Sequence, residues 1–122
     1  MTAGRLKKIE QYIEDDNFML TYGDGLSDIN LKSLINFHKN HNKIATLTAI
    51  QPEARFGGLT IDKNNCITKF KEKPKGDRRW INGGFFVLKK DVFSYLNHEK
   101  INDIMWEEKP MMNLSKDNEL YA

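Results

Sequence analysis

One cysteine, Cys66, stands in the 122 residues. A lone thiol excludes an internal disulfide, and without a CxxC partner it excludes a cysteine-built metal site; it fits a reducing, cytoplasmic setting. Charge of one sign is equally scarce. The 19 basic and 17 acidic side chains cancel almost completely to a net +2 and are scattered along the chain. A nucleic-acid surface gathers its Lys and Arg instead, so no nucleic-acid partner is expected. No apolar run approaches membrane-spanning length, and the opening MTAGRLKKIEQ has no secretory core, so no membrane partner is expected either. His38, His41 and His98 do not fall at metal-ligand spacing. His38 and His41 read as helix-end residues, where the dipole favours a cation. There is no internal repeat, low-complexity segment or linker. At 39% hydrophobic and 30% charged residues, the chain has the mix of one soluble globular domain.

The patterns that are present alternate. GRLKKIEQYIEDD (4 to 16) puts Leu6, Ile9 and Ile13 on one helical face. NFMLTY (17 to 22) is an apolar run closed by Gly23 and reads as a buried strand. Ser27 or Asp28 can cap a helix whose stripe is Leu31, Leu34, Ile35 and His38, and KIATLTAI (43 to 50) is a β-branched strand ended by Pro52. Helix, strand, helix, strand with short connections implies a crossover and a mixed, mostly parallel sheet with flanking helices. GGLTID (57 to 62) and CITKFKEK (66 to 73) flank KNN as a hairpin, and WINGGFFVLKK (80 to 90) is a further strand. Asp91 can cap a short helix with Val92, Phe93 and Leu96 facing inward, and a last helix is expected around Pro110 to Lys116. Phe85 and Phe86 alternate across a strand, so at least one is core; Trp80 and Trp106 read as packing residues.

Three stretches can carry chemistry. In TYGDG (21 to 25), Asp24 follows a strand between two glycines. Ligands of open α/β sheets bind beyond the strands' carboxyl ends, and an exposed carboxylate there suits Mg²⁺, which takes one or two carboxylates plus phosphate oxygens. An Asp-Gly turn with no ligand is the commoner meaning of the same residues. In KEKPKGD (71 to 77), Pro74 holds Lys73 extended; the lysine can meet a phosphate and Glu72 a sugar hydroxyl, or both can be a solvated strand end. In INGGFF (81 to 86), glycines inside a strand mark the close approach of a ligand, or a β-bulge. Asn82 beside them offers a donor and an acceptor.

In their order, AGRLKK, YGDGLSDINLKSLINFHK, ATLTAIQPEARFGGLTID, FKEKPKGD, INGGFFVL and WEEKPMMNL resemble the glucose-1-phosphate cytidylyltransferases, members of the Rossmann-like sugar-1-phosphate nucleotidyltransferases. The resemblance implies a Mg²⁺-dependent transfer from CTP to glucose 1-phosphate. It implies that Asp24 ligates the metal near the α-phosphate and that Lys73 contacts the sugar phosphate. Glu72 and Asn82 would hold sugar hydroxyls, Gly83 would let the sugar approach the backbone, and Tyr22 would sit beside the site. Gly4 and Arg5 match a segment near the nucleotide, with Ala3 in place of a family glycine.

The family opens with a GGxGTR phosphate-binding loop, and its C-terminal region supplies a second metal-binding Asp. Neither is found here. The chain is therefore expected to be the central part of a nucleotidyltransferase domain, inactive alone, and either a homo-oligomer or paired with a complementing chain. The alternative is a non-catalytic remnant that binds sugar phosphate or associates with itself.

Overall fold

The computed structural model of the chain describes residues 1–52, 58–71 and 80–122. Among the described residues three α-helices, α1 (Thr2–Lys8), α2 (Leu31–His41) and α3 (Lys109–Lys116), accompany six strands. These are β1 (Asn17–Thr21), β2 (Ala45–Ile50), β3 (Gly58–Ile61), β4 (Ile67–Lys71), β5 (Ile81–Lys89) and β6 (Leu120–Tyr121). The chain divides into two compact units, Met1–Thr48 with Gly84–Ala122, and Ala49–Gly83.

In the first unit the sheet order is β1-β5-β2-β6. It is mixed: β1 runs antiparallel to β5 with Leu20 opposite Phe86, while β6 runs parallel to β2 with Leu120 opposite Ala45. Phe86, Val87 and Leu88 are consecutive and all buried, so β5 is covered on both faces, as an interior strand must be. Leu6, Phe93, Leu96, Trp106 and Leu114 join Phe86 and Leu88 in one core cluster. Phe18 of β1 stacks on Phe93 at 5.5 Å. Each such buried side chain contributes roughly 1.5–3 kcal/mol of burial.

The expected helix over 4 to 16 stops at Lys8 and gives way to a 3-10 turn over Glu10–Tyr12. Burial explains this. Ala3, Gly4 and Leu6 face the core, but Ile9 is exposed and nothing draws the helix onward. Helix α2 is capped by neither Ser27 nor Asp28 but by Asn30, whose Oδ1 accepts from the Ser33 N–H at 3.0 Å. Asp91 caps no helix: Lys90–Leu96 is a 3-10 segment preceded by Lys89, although Val92, Phe93 and Leu96 are buried as expected. The last helix matches its expected span within one residue. Phe86 and Trp106 are core; Trp80, expected to pack, is 66% exposed.

His38 and His41 are not helix-end cations. His38 is 1% exposed, and burial, with the nearby His41 and Lys89 charges, lowers its pKa from the ordinary 6.5 to about 4. It is therefore neutral at pH 7. His41 is also lowered, first by burial and then by Lys89. Their partners fix both tautomers. The Lys43 N–H donates to His41 Nδ1 at 3.0 Å, so His41 carries its proton on Nε2 and donates to Thr46 Oγ1 at 2.6 Å. The Thr46 hydroxyl then gives its only proton to His38 Nδ1 at 2.7 Å. His38 Nε2–H in turn donates to Asn17 Oδ1 at 3.1 Å. This chain ties α2 to β1 and β2 with every proton committed.

In the second unit, β3 and β4 pair antiparallel as the expected hairpin. Asp62 shapes its turn, with Oδ1 accepting from the Asn64 and Cys66 N–H groups at 2.8 and 2.9 Å.

Candidate functional site

A cavity of about 280 Å³ opens in the first unit beside the end of β1, walled by Arg5, Leu6, Leu20, Tyr22, Gly23 and Trp106 among others. Helix α1 brings Arg5 there because its first turn is stitched to the segment before α3. The Ala3 N–H donates to the Ile104 carbonyl at 3.2 Å, and the Trp106 N–H donates to Thr2 Oγ1 at 2.7 Å. Gly4 makes that seam possible: a Cβ there would lie 2.8 Å from Asn102 Cα. Packing thus accounts for Gly4 irrespective of any ligand. Arg5 itself is exposed, with its guanidinium free to face a solute.

Tyr22 continues the β1 ladder one step past Thr21, its N–H donating to the Gly84 carbonyl at 3.4 Å. Its ring meets Phe86 edge-on at 5.8 Å, and Phe86 meets Trp106 edge-on at 6.0 Å. The turn then closes with the Gly25 N–H on the Tyr22 carbonyl at 3.3 Å, leaving Asp24 exposed at its tip. Neither flanking glycine has a positive φ. A Cβ on Gly23 would meet nothing within 4 Å, and one on Gly25 would make only ordinary contacts. The glycines are thus not needed for the bend; what they supply is open space around a carboxylate.

Of the residues singled out in the sequence, the structure gathers Arg5 and Tyr22 on one cavity, with Asp24 next to its Gly23 rim. Gly4 lies one residue away but points into the protein. Asn82 and Gly83 belong to the second unit, at the start of β5. Glu72 and Lys73 lie outside the described residues. Two residues went unnoticed in the sequence: Trp106 as a cavity wall, and Gly84, whose φ of +79° is the one left-handed glycine among the described residues.

For a metal, the fit is partial. Among the described residues no group of three or more His, Cys, Asp or Glu is arranged to hold an ion. An exposed Asp24 in open space suits a single-carboxylate ligand of an ion whose other ligands are phosphate oxygens and water, the habit of Mg²⁺ rather than of Zn²⁺ or Ca²⁺. No helix among the described residues is long and apolar enough to cross a membrane.

The Nucleotidyl transferase family model matches residues 1–117. The chain belongs to this family. A glucose-1-phosphate cytidylyltransferase from Salmonella typhi is 47% identical, covering 100% of this chain and 46% of the relative's own length. A UTP–glucose-1-phosphate uridylyltransferase from Synechocystis is 32% identical over 78% of this chain and 27% of its own length. Among solved structures, a Bacillus anthracis protein assigned as a glucose-1-phosphate thymidylyltransferase superposes with a TM-score of 0.69 at 21% identity, covering 100% of this chain and 52% of that one. HddC from Yersinia pseudotuberculosis superposes with a TM-score of 0.57 at 23% identity, over 88% of this chain and 46% of that one. Those two likenesses are of fold, and they establish a nucleotidyltransferase fold with a mixed sheet and flanking helices. The chain spans about half the length of the curated cytidylyltransferase it matches.

Proposed function

We propose that the chain forms part of a glucose-1-phosphate cytidylyltransferase, which transfers CMP from CTP to glucose 1-phosphate. A phosphate oxygen of glucose 1-phosphate attacks the α-phosphorus of CTP in line. The bond from that phosphorus to the β-phosphate's bridging oxygen breaks, and the products are CDP-glucose and pyrophosphate. Such a transfer needs positioning and charge stabilisation, not a covalent enzyme intermediate.

The observation that carries the reading is the cavity at the end of β1, where Arg5 and Tyr22 share a wall and Asp24 stands exposed beside Gly23. Arg5 supplies a guanidinium for the nucleotide side, and the Gly4 packing holds its helix at the rim. The Tyr22 ring bounds the site. Asp24 would hold Mg²⁺, which when bound neutralises phosphate charge and polarises the α-phosphate. Lys73 is assigned to the sugar phosphate, Glu72 and Asn82 to sugar hydroxyls, and Gly83 to close approach of the sugar. The 47% identity to a cytidylyltransferase along the whole chain supports CTP over other nucleotides.

Calorimetric titration of the purified chain tests this, first with glucose 1-phosphate and then with CTP and Mg²⁺. Binding of both, with CTP binding lost in Asp24→Asn, is the expected result. Sugar-phosphate binding without CTP binding would leave a sugar-phosphate half-site. Binding of neither ligand would overturn the proposal for this chain.

A further inference from the structure

We infer that Gly84 is a positioning residue for the site: its bare, left-handed backbone seats the Tyr22 ring against the cavity. The inference rests on the reading above that this cavity receives the substrates. It gives the second glycine of the Asn82-Gly83-Gly84 run a task separate from sugar contact.

The geometry is specific to this one glycine. Gly84 has a φ of +79°, a conformation that residues with a Cβ rarely adopt. A Cβ added there would lie 2.6 Å from Tyr22 Cδ2, 3.1 Å from Cε2 and 3.7 Å from Cγ. Three atoms of one ring edge thus rest where a side chain would be. The same residue is also held through its backbone, since the Tyr22 N–H donates to the Gly84 carbonyl at 3.4 Å. Main chain and ring of Tyr22 are therefore both registered on a single glycine.

The ring has little freedom to yield inward. Its edge contact with Phe86 is backed by Phe86 on Trp106, and these two are 0% and 1% exposed. Close-packed interiors give way by shifts that cost energy, whereas a cavity is free space. A methyl at position 84 drives the ring toward the open side, which is the cavity that Tyr22 shares with Arg5 and Gly23. Gly84→Ala therefore acts on ligands through Tyr22 and not by touching them.

A double-mutant cycle separates this from a structural role. Binding of CTP with Mg²⁺, and of glucose 1-phosphate, is measured for wild type, Gly84→Ala, Tyr22→Ala and the double variant. Gly84→Ala should weaken binding by about tenfold, and in the Tyr22→Ala background it should have no further effect. Multiplying losses, or wild-type binding by Gly84→Ala, would overturn the inference. A ligand-free measurement covers a variant that does not fold, and a wild type that binds neither ligand. The Gly84 Hα that points at the Tyr22 ring edge should be shifted downfield in wild type, where the ring current deshields, and should return in Tyr22→Leu. Unshifted Gly84 resonances in wild type would refute the seating whatever the ligand data; shifted resonances with no ligand binding would sink the functional reading and leave the seating standing.

Discussion

Acid should destabilise this protein through His38 by an amount that can be worked out. In the unfolded chain the imidazole titrates near 6.5, and in the fold it is held at about 4. The lowered value has two structural sources: burial, and the nearby His41 and Lys89 charges. Between those pKa values the unfolded chain binds a proton that the folded one refuses. The contribution is therefore complete above the unfolded pKa and is lost as pH falls through 6.5 toward 4. At pH 5 the unfolded imidazole is almost wholly protonated and the folded one about a tenth, which gives a loss of about 2 kcal/mol relative to pH 7.5. His41 is shifted in the same direction, and surface carboxylates titrate as well, so the assay compares wild type with His38→Gln. Glutamine keeps one donor and one acceptor but does not titrate. Urea denaturation at pH 7.5 and 5.0 should show wild type losing about 2 kcal/mol more than the variant between the two. Equal losses would refute the reasoning, as would His38 ring resonances that titrate near pH 6.5 in the folded protein.

The other expectations concern single contacts. Asp24→Asn should leave stability within about 0.5 kcal/mol of wild type, because the carboxylate is exposed; CTP binding in Mg²⁺ should fall, read by calorimetry. Gly4→Ala should cost about 1–3 kcal/mol in the absence of any ligand, since its methyl meets the backbone of Asn102; chemical denaturation checks it. Asn30→Ala removes the cap on Ser33 and should cost about 1 kcal/mol, measured in the same way.

Strands 17 to 22 and 43 to 50 were legible as short apolar or β-branched runs, but β1, expected to be buried, is a half-buried strand at the sheet's edge with Met19 exposed. Helix α3 was legible in place, while the proline that clouded its start proves to sit in its first turn. Helix α1 was overread. Ile9 and Ile13 keep helical spacing, yet within the helix only Ala3, Gly4 and Leu6 are buried; Ile9 is exposed, and Ile13 packs on the core from beyond the 3-10 turn. His38 fell on the apolar stripe of its helix, which was correct, and the dipole argument for a cation then pointed the wrong way. Its partners Asn17 and Thr46 lie on two different strands, β1 and β2, and only the fold brings them to the ring. The site divides similarly. Asp24 and Tyr22 could be picked out because YGDG is a recognisable run. Which of two adjacent glycines takes the left-handed conformation depends on where the Tyr22 ring lies, and nothing local to INGG records that. The glycines around Asp24 had the opposite fate: marked for bending, they turn out to leave room.

The ladder of rings from Tyr22 through Phe86 to Trp106 gives the protein an internal optical reporter. Trp106 is sealed at 1% exposure, while Trp80 is 66% exposed. Iodide therefore quenches one indole and spares the other. The emission that survives the quencher comes from a ring that walls the cavity and sits two aromatic contacts from Tyr22. A solute entering the cavity changes the surroundings of a ring that walls it, so its arrival can be followed as a change in the protected band, with no label attached and no turnover required.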